Sequence, residues 1–380
     1  MRLLHTSDWH LGRTLHGASL IEHQRAFLDW LLATAIGEGV DAVLVAGDVY
    51  DRAVPPTDAV RLLDDSLAGF AAARIPVVIT SGNHDSAIRL GFGSALNRAA
   101  GVHLRTDLAA LTDPLVLRDG AGELAVYGIP YLLPDAVLDE LGADRSHASV
   151  LAAAVARLRA DAAARGISRV VALAHAFVTG GQSSESERDI RVGGIGDAPA
   201  SVFRGLTYAA LGHLHGAQRI AERVRYSGSP LAYSFSERDH AKSVALIDVA
   251  ADGTIGTRLL PTPVPRPLRE VRGRIEELLA CADAGLAEAW VKAVLTDARR
   301  PMAPMERLRE RWPHTLVLDF APEGVAADPA TDLARIREAS DPVEICAHFM
   351  EWVDSTRPDR AHENELRSAV EAVRRLEASA

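Results

Sequence analysis

Cysteine is almost absent from this 380-residue chain: Cys281 and Cys346 are the only two. That is too few for a disulfide framework and points to a reducing cytoplasm. Lysine is equally scarce, with Lys242 and Lys292 alone, so nearly all positive charge is arginine. Arginine suits planar, bidentate contact with phosphate, but a GC-rich genome produces the same bias, and the excess is neutral evidence. No run of about 18 apolar residues occurs, so no membrane span is expected. The opening Met1-Arg2-Leu3-Leu4-His5-Thr6-Ser7-Asp8 lacks the apolar stretch and small-residue cleavage site of a signal peptide. A phosphate-cradling G-x-x-x-x-G-K-[ST] loop is also missing, so ATP hydrolysis is not encoded. The net charge of −10 speaks mildly against nucleic acid. Bound divalent cations would offset that charge where it is densest, and a local arginine patch can act within an acidic whole. What remains, 48% hydrophobic and 24% charged residues, describes a soluble chain with a substantial core and more than one domain.

Up to about Leu260, short β-rich runs alternate with helical stretches, the pattern of βαβ units around a buried sheet. The strand expectations are Arg2–Thr6, Ala42–Ala46, Val77–Thr80, Leu124–Gly128, Val170–Ala174, Tyr208–Leu211 and Val244–Asp248. Three- and four-residue apolar spacing predicts helices over Ile21–Ile36, Asp58–Ala73 and Ala148–Arg165. Gly180–Pro199 reads as a long loop. In Pro261-Thr262-Pro263-Val264-Pro265-Arg266-Pro267 the alternate prolines impose an extended connector. Beyond it a strand (Leu268–Val271), a helix (Ile275–Cys281), a strand (Trp290–Leu295), a helix (Pro304–Trp312) and a strand (Thr315–Phe320) make a small α+β domain. A spacer and two helices, Val343–Val353 and His362–Ala378, close the chain. The expected organisation is therefore a first domain over 1–260, the connector 261–267, an α+β domain over 268–320, a linker over 321–340 and terminal helices over 341–380.

Five segments carry the chemistry: Asp8-Trp9-His10; Gly47-Asp48-Val49-Tyr50-Asp51; Gly82-Asn83-His84-Asp85; Ala174-His175; and Gly212-His213-Leu214-His215. Each ends an apolar strand, and ligands gather at the carboxyl ends of parallel strands. Taken singly, each has a plainer explanation: a solvated turn, a Gly/Asn/Asp turn, a hydrogen-bonded core histidine. Taken jointly and in this order, they describe one rim carrying Asp, His and Asn side chains. Two divalent ions ~3.5–4 Å apart need a bridging anion, and Asp48 is the natural candidate. Imidazole with carboxylate suits manganese, iron or zinc, and the absence of thiolates argues against a structural zinc site. Gly47 and Gly82 stand where a strand must turn sharply with its backbone near an ion.

These segments resemble the phosphoesterase motifs of the calcineurin-like metallophosphoesterase superfamily. Wider stretches are closer still to the SbcD family, the nuclease subunits of bacterial SbcC–SbcD complexes. The likeness runs through Leu4–Gly12, Phe27–Leu32, Val45–Asp51 with Pro55-Pro56, Gly82–Ser86, Arg188-Asp189-Ile190, Ala210–His215 and Val224–Pro230. It covers the first ~240 residues. It implies an α/β fold, a β-sandwich flanked by helices, followed by a small α+β cap domain and C-terminal helices. It also implies one metal held by Asp8, His10, Asp48 and His215 and a second held by Asp48, Asn83, His175 and His213, with manganese preferred. The implied activity is exonuclease on duplex DNA and endonuclease on single strands and hairpins. The implied partner is an SbcC-type coiled-coil ATPase, docked on the C-terminal helices, with the nuclease a homodimer joined through Arg61–Ala100. Arg52 after Asp51 departs toward the protein-phosphatase pattern, which Ala53-Val54-Pro55-Pro56 does not continue.

In that setting His84 is expected to donate a proton to the scissile phosphate or leaving oxygen, with Asp51 orienting it; the alternative is that Asp51 caps a turn. Trp9, Arg13 and His16 are candidate DNA contacts, with a plain loop as the alternative. The stripe of Leu366, Val370, Val373 and Leu376 fits either internal packing or a partner helix. Two rival functions share the ligands: a phosphoesterase for small phosphodiesters or phosphoproteins, and a scaffold that binds DNA ends without cutting.

Overall fold

The computed structural model describes residues 1–187, 197–322, 341–354 and 357–378. The chain divides into two compact units, Met1–Pro265 and Arg266–Ala380. The first unit is built on two six-stranded sheets. In one, the order across the sheet is Ile255–Pro261, Ser243–Val249, Arg2–Thr6, Ala42–Ala46, Val77–Thr80 and Val102–Arg105. The last four run parallel and Ser243–Val249 pairs antiparallel to Arg2–Thr6. In the other, the order is Gln218–Ala221, Val224–Tyr226, Tyr208–Gly212, Arg169–His175, Gly122–Ile129 and Leu115–Asp119. Its four central strands are parallel and its two edges antiparallel.

The alternation of side chains along a strand explains the layering. Leu3, Ala42, Leu44, Ala46 and Val78 of the first sheet meet Leu124, Val126, Val171, Leu173, Tyr208 and Ala210 of the second in one buried cluster. Their neighbours Leu4, Val43, Val45, Val77 and Ile79 face outward onto Phe27, Leu28 and Leu31 of the helix Ile21–Glu38 and onto Leu62 and Phe70 of the helix Thr57–Ala73. Ala125, Tyr127, Val170, Ala172 and Leu211 likewise meet Val150, Leu151, Ala154 and Leu158 of the helix His147–Ala164. Strands covered on both faces read as continuous apolar runs, which is why their sequences do not alternate.

Several strands escaped the sequence pattern. Val102–Arg105, Leu115–Asp119, Gln218–Ala221 and Val224–Tyr226 are short, carry charged residues and lie at or next to sheet edges. Ile255–Pro261 runs into the expected connector, with Pro261 opposite Ser243. An edge strand accepts proline because its outer backbone needs no partner.

The second unit contains a three-stranded parallel sheet of Leu268–Gly273, Trp290–Leu295 and Thr315–Phe320. Ile275, Leu278, Leu286, Val291, Leu295, Leu308 and Trp312 form its core. Two further helices span Pro342–Asp354 and Arg360–Ala378. Most of the expected linker, the Arg188-Asp189-Ile190 segment and the side chain of Leu376 lie outside the described residues. Leu366 and Val370 are half-buried and Val373 is exposed. Among the described residues, no helix is long and apolar enough to cross a membrane.

Candidate metal centre

The loops that leave the two sheets converge at their carboxyl rim. The turns after Arg2–Thr6 and Ala42–Ala46 are laced together: Asp8 N–H donates to Gly47 O (3.0 Å), His10 N–H to Asp48 O (3.0 Å) and Leu11 N–H to Val49 O (2.9 Å). The backbone lies in the left-handed region in these laced turns at Asp8 (φ 54°), His10 (45°) and Asp48 (49°), and also at His213 (108°), just after a strand of the second sheet. Non-glycine residues avoid that region, and clusters of them mark sites that the surrounding structure over-determines. Glycine is required beside them. A Cβ at Gly47 would lie 2.5 Å from His175 Nδ1, one at Gly82 would lie 2.1 Å from Asp48 Oδ1, and one at Gly212 would lie 1.8 Å from Ala46 O.

Asp48 occupies the middle. Its Oδ2 lies 3.4 Å from His175 Nε2, 3.7 Å from His10 Nε2 and 3.9 Å from His84 Nε2, while Oδ1 accepts the backbone N–H of His84 at 2.9 Å. Asp8, His10 and His215 offer ligand atoms within 4.8 Å of one another; so do Asp8, Asp48 and His175, and so do His10, Asp48 and His84. Asn83 Oδ1 joins His175 Nε2 (2.9 Å) to His213 Nδ1 (3.3 Å). The Asp8 carboxylate accepts the backbone N–H of His213 at 3.0 Å. All seven side chains expected to hold metal are thus brought to one rim, with His213 reaching the others through Asn83 and Asp8. All are buried except the half-buried Asn83.

The donor set fits divalent cations. His10 Nε2 and His215 Nε2 face each other at 3.1 Å, and among the described residues buried His10 Nδ1 has no hydrogen-bond partner. Burial raises the Asp8 carboxyl to about 6, with Asp48 adding to the rise against the imidazoles of His175 and His215. Burial would raise Asp48 too, but His175, His10 and His84 outweigh it and hold Asp48 well below the usual carboxylate range. Burial drives His213 down to about 3 and keeps His10 neutral. His175 is raised to about 9 because Asp48, then Asp8, overcome its desolvation. Close carboxylates and unprotonated imidazole nitrogens in a water-poor rim are the groups that oxygen- and nitrogen-loving cations take up.

Two expectations need correction. Trp9 does not face outward: it is fully buried, donates to Thr6 Oγ1 (3.0 Å) and packs edge-on against Phe27. Its apolar bulk goes to the core, and it is unavailable to DNA. The residue-51 group that holds His84 is the backbone carbonyl, 2.7 Å from Nδ1. The Asp51 carboxylate points instead toward His10 Nδ1 (3.7 Å) and Arg13 Nη1 (3.5 Å). Arg13 stacks over Tyr233 and donates to Ser186 O (3.1 Å) beside the cluster, while His16 is exposed.

Other supporting residues carry no motif of their own. Asp85 accepts the N–H groups of Val49 (3.1 Å), Tyr50 (2.9 Å) and Gly82 (2.9 Å), stitching the Asp48 and Asn83 loops together. Ser7 Oγ bonds the Asp8 carboxylate and Ser227 Oγ (2.8 Å). Glu237 and Lys242 lie buried behind His215. Asp85 had a signal in the Gly-Asn-His-Asp turn, and Ser7 and Ser227 lie within the quoted stretches Leu4–Gly12 and Val224–Pro230; Glu237 and Lys242 arrive from a distant segment.

Stacked sheets with an aspartate–histidine cluster at one rim define a phosphoesterase of the calcineurin-like class. Residues 1–217 match the family model of calcineurin-like phosphoesterases, and residues 264–353 match a type 5 capsule protein repressor C-terminal domain. The chain is 37% identical to the SbcD subunit of the SbcCD nuclease of Rhodobacter capsulatus, over 88% of this chain and 92% of that protein. It is 35% identical to the SbcD subunit of the SbcCD nuclease of Bacillus subtilis, over 82% of this chain and 84% of the relative. Among solved structures, the calcineurin-like phosphoesterase YfkN from Bacillus subtilis aligns over 69% of this chain and 90% of its own, with 14% identity and a TM-score of 0.38. The chain belongs to the SbcD family of calcineurin-like phosphoesterases, and it is an enzyme of the nuclease type.

Proposed function

We propose that the chain is a manganese-dependent DNA nuclease that works with an SbcC-type coiled-coil ATPase in the cytoplasm, processing DNA ends in repair, recombination and replication. On this reading it degrades duplex DNA as an exonuclease and cuts single strands and hairpins as an endonuclease. The observation that carries the proposal is the convergence of Asp8, His10, Asp48, Asn83, His175, His213 and His215 on one rim, in a chain whose relatives are named as nuclease subunits. Asp8, His10, Asp48 and His215 would hold one ion, Asp48, Asn83, His175 and His213 the other. Bound there, a metal pair supplies water activation near neutral pH and neutralises charge on the phosphoryl oxygens.

The protein's own groups do the rest. His84 Nδ1–H donating to the Asp51 carbonyl leaves Nε2 turned to the cluster, where its protonated form can serve the leaving oxygen. The buried rim excludes bulk water and keeps each donor fixed before substrate arrives. Residues 268–320 would act as a cap over DNA, and the helices of 341–380 would dock on the ATPase. Ile88, Phe92 and Leu96, exposed at 88%, 86% and 81% on the short helices Ala87–Leu90 and Ser94–Ala99 and the turn between them, support a homodimer joined through this region.

The test is an assay of linear duplex, hairpin and single-stranded DNA against bis(p-nitrophenyl) phosphate, with manganese and after chelation, with and without the ATPase. Manganese-dependent cutting of DNA supports the reading. Turnover of the small diester with all DNA left intact would assign the site to small substrates, and DNA-end binding without cutting would make it a scaffold.

A further inference from the structure

Behind His215 stands a charge pair that the reaction itself does not use. Glu237 is 1% exposed and Lys242 6% exposed, and the two side chains are in direct contact. Lys242 Nζ also donates to Ser229 Oγ (2.9 Å) and to the backbone carbonyl of His215 (3.1 Å). Glu237 Oε1 lies 3.1 Å from His215 Nδ1 and also bonds Ser186 Oγ, which is itself 2.6 Å from Nδ1. Lys242 immediately precedes the strand Ser243–Val249 of one sheet, whereas His215 follows the strand Tyr208–Gly212 of the other.

The hydrogen-bond inventory decides where the proton sits. A carboxylate paired with an ammonium can only accept. Ser186 gives its hydroxyl proton to that carboxylate and can then only accept from the ring. Both neighbours of Nδ1 are therefore acceptors, so Nδ1 carries hydrogen and Nε2 keeps its lone pair. Nε2 is the atom that faces His10. Stability is a poor explanation for the pair, because buried ion pairs are commonly replaceable by apolar residues at little cost.

We infer that Glu237, held in place by Lys242, is a positioning residue for metal binding: it locks His215 as the Nδ1–H tautomer and so sets the affinity of the half-site formed by Asp8, His10 and His215. This rests on the proposed role of those three residues as ligands. A carboxylate behind a ligating imidazole fixes ring orientation and raises ligand basicity, and losing such a partner typically weakens metal binding ~10–100-fold.

The test uses the full chain and two readouts. In the metal-free wild type labelled with ¹⁵N-histidine, the ring signals lost in His215→Gln identify His215. An Nδ1–H pattern is expected there, and an Nε2–H pattern overturns the inference whatever the metals do. Mn²⁺ titration followed by the electron paramagnetic resonance of free ion then compares wild type with the double variant E237Q/K242M, which leaves no lone buried charge. One of two sites should weaken ~10–100-fold and the other should hold within about twofold. Unchanged binding at both sites, or an equal loss at both, overturns the inference. Wild-type protein that binds no Mn²⁺ would remove the ligand assignment instead. Should the double variant fail to fold, the tautomer of the wild type still decides.

Discussion

His175 and His215 reach the same cluster from paired strands of one sheet, Gly212 lying opposite His175, yet they are held by different means. His175 Nδ1 meets the backbone carbonyl of Ala46 at 2.9 Å, in a pocket so tight that neither Gly47 nor Gly212 has room for a Cβ. His215 Nδ1 meets side chains, Ser186 and Glu237, with Lys242 behind them. One half of the rim is fixed by main chain and close packing, the other by a layer of side-chain charge. The first kind of support fails by steric strain; the second fails by loss of a proton's address. Substitutions can therefore separate the halves.

The largest effect is expected where the halves meet. Asp48→Asn should cut nuclease turnover about a thousandfold or more, since several kcal/mol of charge stabilisation is lost and about 1.36 kcal/mol is tenfold in rate. Metal analysis should show ions lost from both halves; retention of both would remove Asp48 as the bridge. His84→Gln should lower kcat by ~10²-fold or more while both ions still bind. A variant with full kcat would end the general-acid assignment.

The main-chain-supported half is probed by Gly47→Ala. The new methyl meets His175, and φ at this position is 83°, so a loss of about 1–3 kcal/mol in urea unfolding is expected. Mn²⁺ affinity should fall at one site only, and it should be the site that E237Q/K242M spares. If both variants weaken the same site, the two-support picture is wrong.

Proton release sharpens the same contrast. In the metal-free chain His175 is raised from 6.5 to about 9. Its protonated form therefore adds stability that is complete below 6.5 and lost as pH rises through about 9. A cation must displace that proton, so calorimetry in buffers of different ionisation enthalpy should find about one proton released near neutral pH, vanishing above 9. Ser186→Ala should give the smallest effect. It deletes one neutral acceptor worth about 1 kcal/mol, or roughly fivefold in Mn²⁺ affinity at the side-chain-supported half.

Legibility from sequence followed the same division between local and distant. Arg2–Thr6, Ala42–Ala46 and Val77–Thr80 could be delimited to the residue because an apolar run covered on both faces stops abruptly at a polar turn. The expected ligands were legible because each sits at the end of its strand or in the turn that follows it. Edge strands such as Gln218–Ala221, with Arg219 exposed, bury too little to leave a pattern. Glu237 and Lys242 could not be read at all, since their meaning depends on a histidine delivered by a different sheet. Trp9 misled because it stands between two expected ligands, whereas its indole belongs to the helix-facing core. Asp51 misled in a subtler way: the position was right, but the carbonyl rather than the carboxylate makes the contact.

The left-handed turns at Asp8, His10, Asp48 and His213 set two selective pressures against each other. Each such residue costs on the order of 1–3 kcal/mol, a burden present before any ion or DNA arrives. In a mutant library screened only for survival of heat, these four codons should drift toward glycine, which relaxes the backbone. In a library screened for cutting, glycine should never appear there. The distance between those two outcomes measures how much thermal margin the chain forgoes to keep its proposed ligands aimed.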